Sequence, residues 1–210
     1  MVFSKKEMEF AGKLSPLLNG ARVSLKKTAT SSTSEGSFKK YDIEIEGLSL
    51  DTPDPDMVLL GASSLPAYIF YEDTVADPAS YKYVEVTVRA KDKQYQSRYT
   101  PHQLQQVHES FITMLRFINA MKDLNSDSLS YYIDTTTAKD FSAASFIDKM
   151  KGMDAKYGTI QNEVTKAFKF DQRMGKHLIY FRFGLHRTSA IQPTDMWVDP
   201  VTNKVAGIHM

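Results

Sequence analysis

Residues 177–187, HLIYFRFGLHR, alternate between two unlike faces. Ile179, Phe181, Phe183 and Leu185 share one parity; Leu178, Tyr180, Arg182, Gly184 and His186 share the other. A period of two belongs to a strand with one buried and one wetter side. The same period sets Tyr41, Ile43 and Ile45 against Lys40, Asp42, Glu44 and Glu46. It also sets Val84, Val86, Val88 and Ala90 against Tyr83, Glu85, Thr87 and Arg89. Upstream, Ala21, Val23 and Leu25 share a parity. The Ser/Thr-rich stretch TATSSTSEGS, with Glu35-Gly36 as its turn, joins them to the Tyr41 strand in a long hairpin with a polar end. Lys91-Asp92-Lys93 reverses the Val84 strand into a return strand carrying Tyr95 and Tyr99. Four further strands are predicted at 163–172, 177–188, 194–199 and 203–209, with turns at Gly175 and at DPVTNK.

Three stretches change period. Asp54-Pro55 reads as a cap and first-turn pair, followed by Val58, Ala62, Leu65 and Ile69 at helical spacing. Pro66 lacks the amide that would bond to residue 62, so it is expected to kink or interrupt this helix. At YTPHQL, Thr100 is placed as N-cap, Pro101 as first helical residue and Gln103 as the partner of a capping box, with Tyr99 and Leu104 as a hydrophobic staple. Leu104, Val107, Phe111, Leu115, Ile118 and Met121 continue as one apolar stripe to about Leu124. After a soft NSDS stretch, a further helix runs from about Ser142, with Phe146, Met150, Met153 and Tyr157 on one side and Gly158 as its stop.

The fold class is therefore α+β in two domains, 1–100 and 101–210, each an antiparallel sheet packed on helices. The first reads hairpin, helix, hairpin. A chain of 210 residues is comfortable for two domains of about 100 each.

With 42% hydrophobic and 24% charged residues, the chain has enough apolar mass for such cores without staples. A net charge of +1 implies no bulk attraction to nucleic acid or anionic membrane. Having no cysteine excludes disulfides, thiol nucleophiles and thiolate metal sites but leaves the compartment open. Residues 1–10 lack the apolar core of a signal peptide, and no run approaches about 18 apolar residues. The chain thus reads as soluble, with no export signal and no membrane insertion. Were Met1 a trimmed start, a signal upstream of it would make the protein extracytoplasmic.

Residues 101–210 resemble the nuclear transport factor 2-like or cystatin-like superfamily. The resemblance is carried by the 101–124 helix, by Phe146, Tyr157, Gly158 and Ile160, and by the closing MWVDPVTNKVAGI, a strand ending in aspartate and paired through a polar turn with a short strand. It implies a strongly bent, cone-like antiparallel sheet with the helices on its concave side. The superfamily includes isomerases, dehydratases, transport factors and binding domains, so the resemblance names no activity. Residues 1–100 carry no such likeness.

On that fold the wholly apolar parity of 177–187 faces the helices. An acid or base projecting into the cone is then missing from the central strand, and the ionisable groups of that parity, His177 and Arg187, stand at its ends. Tyr180, Arg182 and His186 point to the convex face, where Asp195, Trp197 and Asp199 of the next strand share a parity and can lie across from them. Trp197 on that face and Trp197 in the core, with Met196 and Val198 outward, both remain open. Tyr, Trp and Arg concentrate at interface hot spots, so Tyr180, Arg182, His186, Asp195 and Trp197 are the candidate interaction surface. The competing reading is an ordinary sheet surface, since cross-strand charge pairs contribute only about 0.2–1 kcal/mol.

His102 and His108, six apart, cannot form a helical metal pair, which needs like-facing ligands three or four apart. No G-x-G-x-x-G, P-loop, G-x-S-x-G or H-E-x-x-H motif occurs. Asp51, Asp54 and Asp56 lack the glycine and terminal glutamate of a calcium loop. Tyr81, Tyr83, Tyr95 and Tyr99 with Arg89 and Arg98 suit either base stacking or cross-strand packing. The reading leans against an enzyme and expects no catalytic residue, metal or cofactor. It points to a binding protein acting through exposed sheet faces on an unknown protein partner or on itself. The alternative is a small-molecule or lyase/isomerase-like cone pocket in 101–210, with Tyr131, Asp134, Tyr157 and His177 as its donors.

Overall fold

The alternating segments Tyr41–Glu46 and Tyr83–Ala90 lie side by side in one sheet, but run parallel rather than as successive strands of a meander. The computed structural model describes residues 9–210 apart from 11, 15–17, 19, 33–35, 75–80, 92 and 174. The chain divides into two compact units, residues 1–105 and 106–210. The Glu35 part of the predicted hairpin turn and Asp92 of the Lys91–Lys93 turn lie outside the described residues.

In the first unit β1 (Arg22–Ser32) and β2 (Gly36–Glu46) form the expected hairpin, in register from Arg22↔Glu46 to Ser32↔Gly36. Helix α1 (Pro55–Thr74) then carries the chain to β3 (Tyr83–Ala90), which pairs parallel with β2, and β4 (Lys93–Tyr99) returns antiparallel. The sheet, in order β1-β2-β3-β4, is therefore mixed, a correction to the antiparallel sheet expected for this half. The reason is connectivity: a helix between two hairpins is a crossover, and a crossover returns the chain in the same direction.

Asp54 caps α1, accepting from Met57 N at 3.1 Å. The helix continues through Pro66 rather than stopping there. Its buried residues are Leu59, Gly61, Ala62, Ser63, Ser64, Pro66, Ala67 and Phe70, whereas Val58, Leu65 and Ile69 are half-buried. The pyrrolidine ring is part of the packing stripe, so the stripe is rotated from the one the spacing suggested. Phe70 meets Tyr41 of the sheet at 4.6 Å between ring centroids and Phe10 edge-on at 5.5 Å.

The capping box forms as expected: Gln103 N donates to Thr100 Oγ1 at 3.2 Å and Thr100 N to Gln103 Oε1 at 2.9 Å. Tyr99 and Leu104 are both buried. Helix α2 runs Pro101–Lys122. The soft stretch is more ordered than expected, because Asn125 accepts from Ser128 N and starts a short helix, α3 (Ser126–Tyr132). Helix α4 (Ala143–Tyr157) is capped by Ser142 and ended by Gly158, whose φ of 80° is open to glycine.

Four strands complete the second unit: β5 (Ile160–Arg173), β6 (Lys176–Arg187), β7 (Ile191–Asp199) and β8 (Lys204–His209), antiparallel in that order. Ile133 adds a parallel bridge to Val205, and Asp134 N donates to the Val205 carbonyl, so the chain after α3 runs beside β8. Ile179, Phe181, Phe183 and Leu185 are each at most 1% exposed, and Phe181 lies 6.1 Å from Phe111 of α2 between ring centroids. The apolar parity does face the helix. At about 1.5–3 kcal/mol per buried large side chain, this preference decides which side of the sheet α2 covers.

Candidate functional site

The opposite face of β6 and β7 carries the candidate surface. Register sets Tyr180 across from Trp197, Arg182 from Asp195, Gly184 from Pro193 and His186 from Ile191. Asp195 is the hub. Its carboxylate accepts from the Tyr180 hydroxyl at 2.6 Å and from Arg182 Nη1 at 2.7 Å to each oxygen. His209 Nδ1 on β8 stands 3.9 Å away. Burial and then the bond to Asp195 push the Tyr180 phenol well up. The hydrogen bond to Asp195 raises the Arg182 guanidinium despite its partial burial. Neither group is poised to exchange a proton near neutrality; both are fixed donors.

Trp197 sits on this face, since Met196 and Val198 are fully buried. Its indole Nε1 donates to Asp171 at 3.0 Å, its ring lies 5.3 Å from Tyr180, and the Arg173 guanidinium is stacked 4.5 Å above it. Lys169 lies 5.1 Å from the Tyr180 ring. Val164 at 36% and Ile191 at 61% exposure flank Gly184 with Pro193. Next to the ionic rows is thus a small exposed apolar area.

Four of the five surface residues come together. His186 does not join them, because the strand register puts Ile191, not a carboxylate, opposite it. Asp199 also leaves the group. A register shift follows Trp197, and Asp199 instead accepts from Val201 N and Thr202 N in the β7–β8 turn.

The four pocket candidates do not converge. Tyr131 is 66% exposed, under the Lys204 ammonium at 4.2 Å. Asp134 is buried and accepts from Thr136, Thr137 and Lys176 side chains at 2.6, 2.6 and 2.7 Å. Lys176 also reaches Asp199 at 3.3 Å. Burial would raise the Asp134 carboxyl, but these donors outweigh it and hold it well below its ordinary value. This cluster clasps the segment after α3 to the sheet. His177 is exposed opposite Gln172. Tyr157 lies at the far end of β6, where its carbonyl accepts from Ser189. The spacing along β6 from His177 to Arg187, next to the turn that holds Ser189, is about 33 Å at about 3.3 Å per residue.

The residue that sequence reasoning undervalued is Arg187. Its side chain is fully buried and donates to Asp154 Oδ1 at 2.5 Å, to the Gly158 carbonyl at 2.9 Å and to Gln192 Oε1 at 2.9 Å. It ties β6 to the end of α4. Only its place on the apolar parity could have signalled this.

In the first unit, Arg98 stacks 4.2 Å over Tyr83 and pairs with Glu85 at 3.0 Å, while Lys40 reaches Glu85 at 3.3 Å. Burial would raise the Glu85 carboxyl, but Arg98 and Lys40 hold it below its ordinary value. Tyr81 and Tyr99 are buried. The tyrosine-rich hairpin is therefore packed and ion-paired, as cross-strand packing requires. Among the described residues no group of three or more His, Cys, Asp or Glu side chains could hold a metal. Among the described residues no helix is long and apolar enough to cross a membrane.

Comparison with protein-family models, curated proteins and solved structures gives no match.

Proposed function

We propose that this is a binding protein that acts through the outer face of the β5–β8 sheet, centred on Tyr180, Arg182, Asp195 and Trp197, and that its partner is a protein. The observation that carries the reading is the Asp195 hub. It fixes the buried Tyr180 and the partly exposed Arg182, while Asp171 and Arg173 separately hold Trp197, beside exposed Ile191 and Val164. Pre-ordered aromatic and guanidinium side chains lose little further freedom on association. The helix-facing side is occupied by Phe168, Phe181 and Phe183, which favours the outer face over a pocket beneath the helices. The succession of helices followed by four antiparallel strands supports placing residues 101–210 with the nuclear transport factor 2-like or cystatin-like domains.

The test is site-specific photo-crosslinking in cells, with the reactive side chain at Ile191 or, as control, at exposed Lys151 of α4. Adducts are expected at Ile191, with themselves or with a second protein, and their loss on Trp197→Ala or Arg182→Ala. Equal adduct formation at Ile191 and Lys151, unaffected by those substitutions, overturns the reading.

A further inference from the structure

Two cavities, of about 390 and 400 Å³, are lined in part by residues of this outer face and share His209 in their walls, and the second also takes in Met153 and Tyr157 of α4 and Gln192. The first is lined by Arg173, Leu178, Trp197, Gly207 and Ile208, the second by Tyr157, Arg182, Ile191, Pro193 and Met210. Asp195 lines the first and Arg182 the second, and the two are hydrogen-bonded at 2.7 Å. Trp197 and Ile191 mark the two ends and are six positions apart on β7, a separation of about 20 Å at about 3.3 Å per residue.

The ends differ chemically. At the first, Gly207 faces Trp197 across the strands, and the missing side chain leaves the hollow; a Cβ there would meet only Trp197 Cε3, at 3.7 Å. Above Trp197 lies Arg173. Arg182 is matched by Asp195, but Arg173 has no ion pair among the described residues. At the second end Ile191, Pro193, Met153 and Met210 supply an apolar wall beside Tyr157, Gln192 and His209, and Arg182 is the one Lys or Arg in the lining. The floor between is polar. One small molecule would fill one end only, and a helix advancing about 1.5 Å per residue would need some 13 residues to join them. An extended chain joins them in about six.

We propose that this track binds an extended peptide segment that places an acidic side chain on Arg173 and a large apolar side chain, about six residues away, in the Ile191 cavity. The proposal rests on the outer face being the binding face and names the kind of partner it takes.

The test selects a phage-displayed random peptide library against the full chain. Enriched sequences should pair Asp or Glu with Leu, Ile, Phe or Met about six positions apart. A synthetic copy should change the emission of Trp197, the only tryptophan in the chain. Arg173 and Ile191 are exposed, so Arg173→Glu and Ile191→Asp should fold, and each should weaken that peptide at least about tenfold. Selection against Arg173→Glu should turn the acidic end residue basic. Gly207→Ala, which fits sterically, should weaken binding by narrowing the hollow. The proposal is overturned if no spaced pattern is enriched, if the peptide binds Arg173→Glu equally, or if benzoate or inorganic phosphate alone reproduces the Trp197 response at the same affinity. A failed selection with crosslinks persisting at Ile191 removes the peptide inference alone; loss of both removes the surface reading too.

Discussion

Removing Asp154 should destabilise the second unit more than removing Arg187, although the two form one ion pair. The Arg187 side chain is 0% exposed and that of Asp154 is 23% exposed. In Asp154→Ala the guanidinium stays buried with only the Gly158 carbonyl and Gln192 as oxygen acceptors. Breaking a buried pair from one side costs about 3–5 kcal/mol. Water reaching the Asp154 side holds the expected cost near the lower end, about 3 kcal/mol. Alanine is a better helix former than aspartate, so the loss cannot be assigned to α4 itself. In Arg187→Met the charge is gone, Asp154 returns toward solvent, and the thioether chain refills the volume. What is lost is a few hydrogen bonds at about 1 kcal/mol each or less, a net of roughly 1–2 kcal/mol. The double variant should then be no less stable than Arg187→Met alone, a coupling of about 3 kcal/mol between the sites. Urea unfolding followed by Trp197 fluorescence measures this in the unit that contains the pair. A cost below about 1 kcal/mol for Asp154→Ala, or additive variants, would refute the claim that the buried guanidinium needs its carboxylate.

Gly158→Ala should be among the most damaging small substitutions, because φ is 80° and the new Cβ collides with the Thr188 side chain. The backbone part alone costs about 1–2 kcal/mol, and Thr188→Gly in the same chain should recover only the steric remainder in a urea midpoint. Thr100→Ala removes the acceptor for Gln103 N and should cost about 1 kcal/mol, read from thermal or urea unfolding. The Asp134 carboxyl is held below its ordinary value in the fold, so its contribution to stability is full above about pH 4 and is lost as pH falls further through the depressed value. Asp134→Asn should lower stability at neutral pH and flatten the acid limb of stability against pH; an unchanged acid limb would show that the clasp is not coupled to folding.

Local signals in the chain sufficed for most of what depends on neighbours in sequence, the Asn125 cap of α3 excepted. Thr100 and Gln103 cap each other, Ser142 and Gly158 bound a helix, and the odd residues of 179–185 turn toward the helices. Each of these is set by a side chain and backbone groups within a few residues, or by one strand's own pleat. Pairing lies beyond that reach. Nothing within β2 or β3 states that they run parallel, because that follows from the crossover between them. Nothing within 177–187 states that Arg182, rather than His186, meets a carboxylate, because that depends on the register with β7. Pro66 reads locally as a break, yet packing rewards its ring and the helix carries it through. Arg187 reads locally as the charged end of a strand, and only the approach of Asp154, Gly158 and Gln192 from other elements makes its burial tolerable. Periodicity and capping thus determined most of the elements and the apolar face of β6, though not the short helix α3 or the stripe of α1. The tertiary structure decided which polar side chains share a charge or enclose a hollow, since those outcomes turn on contacts between segments far apart in the chain.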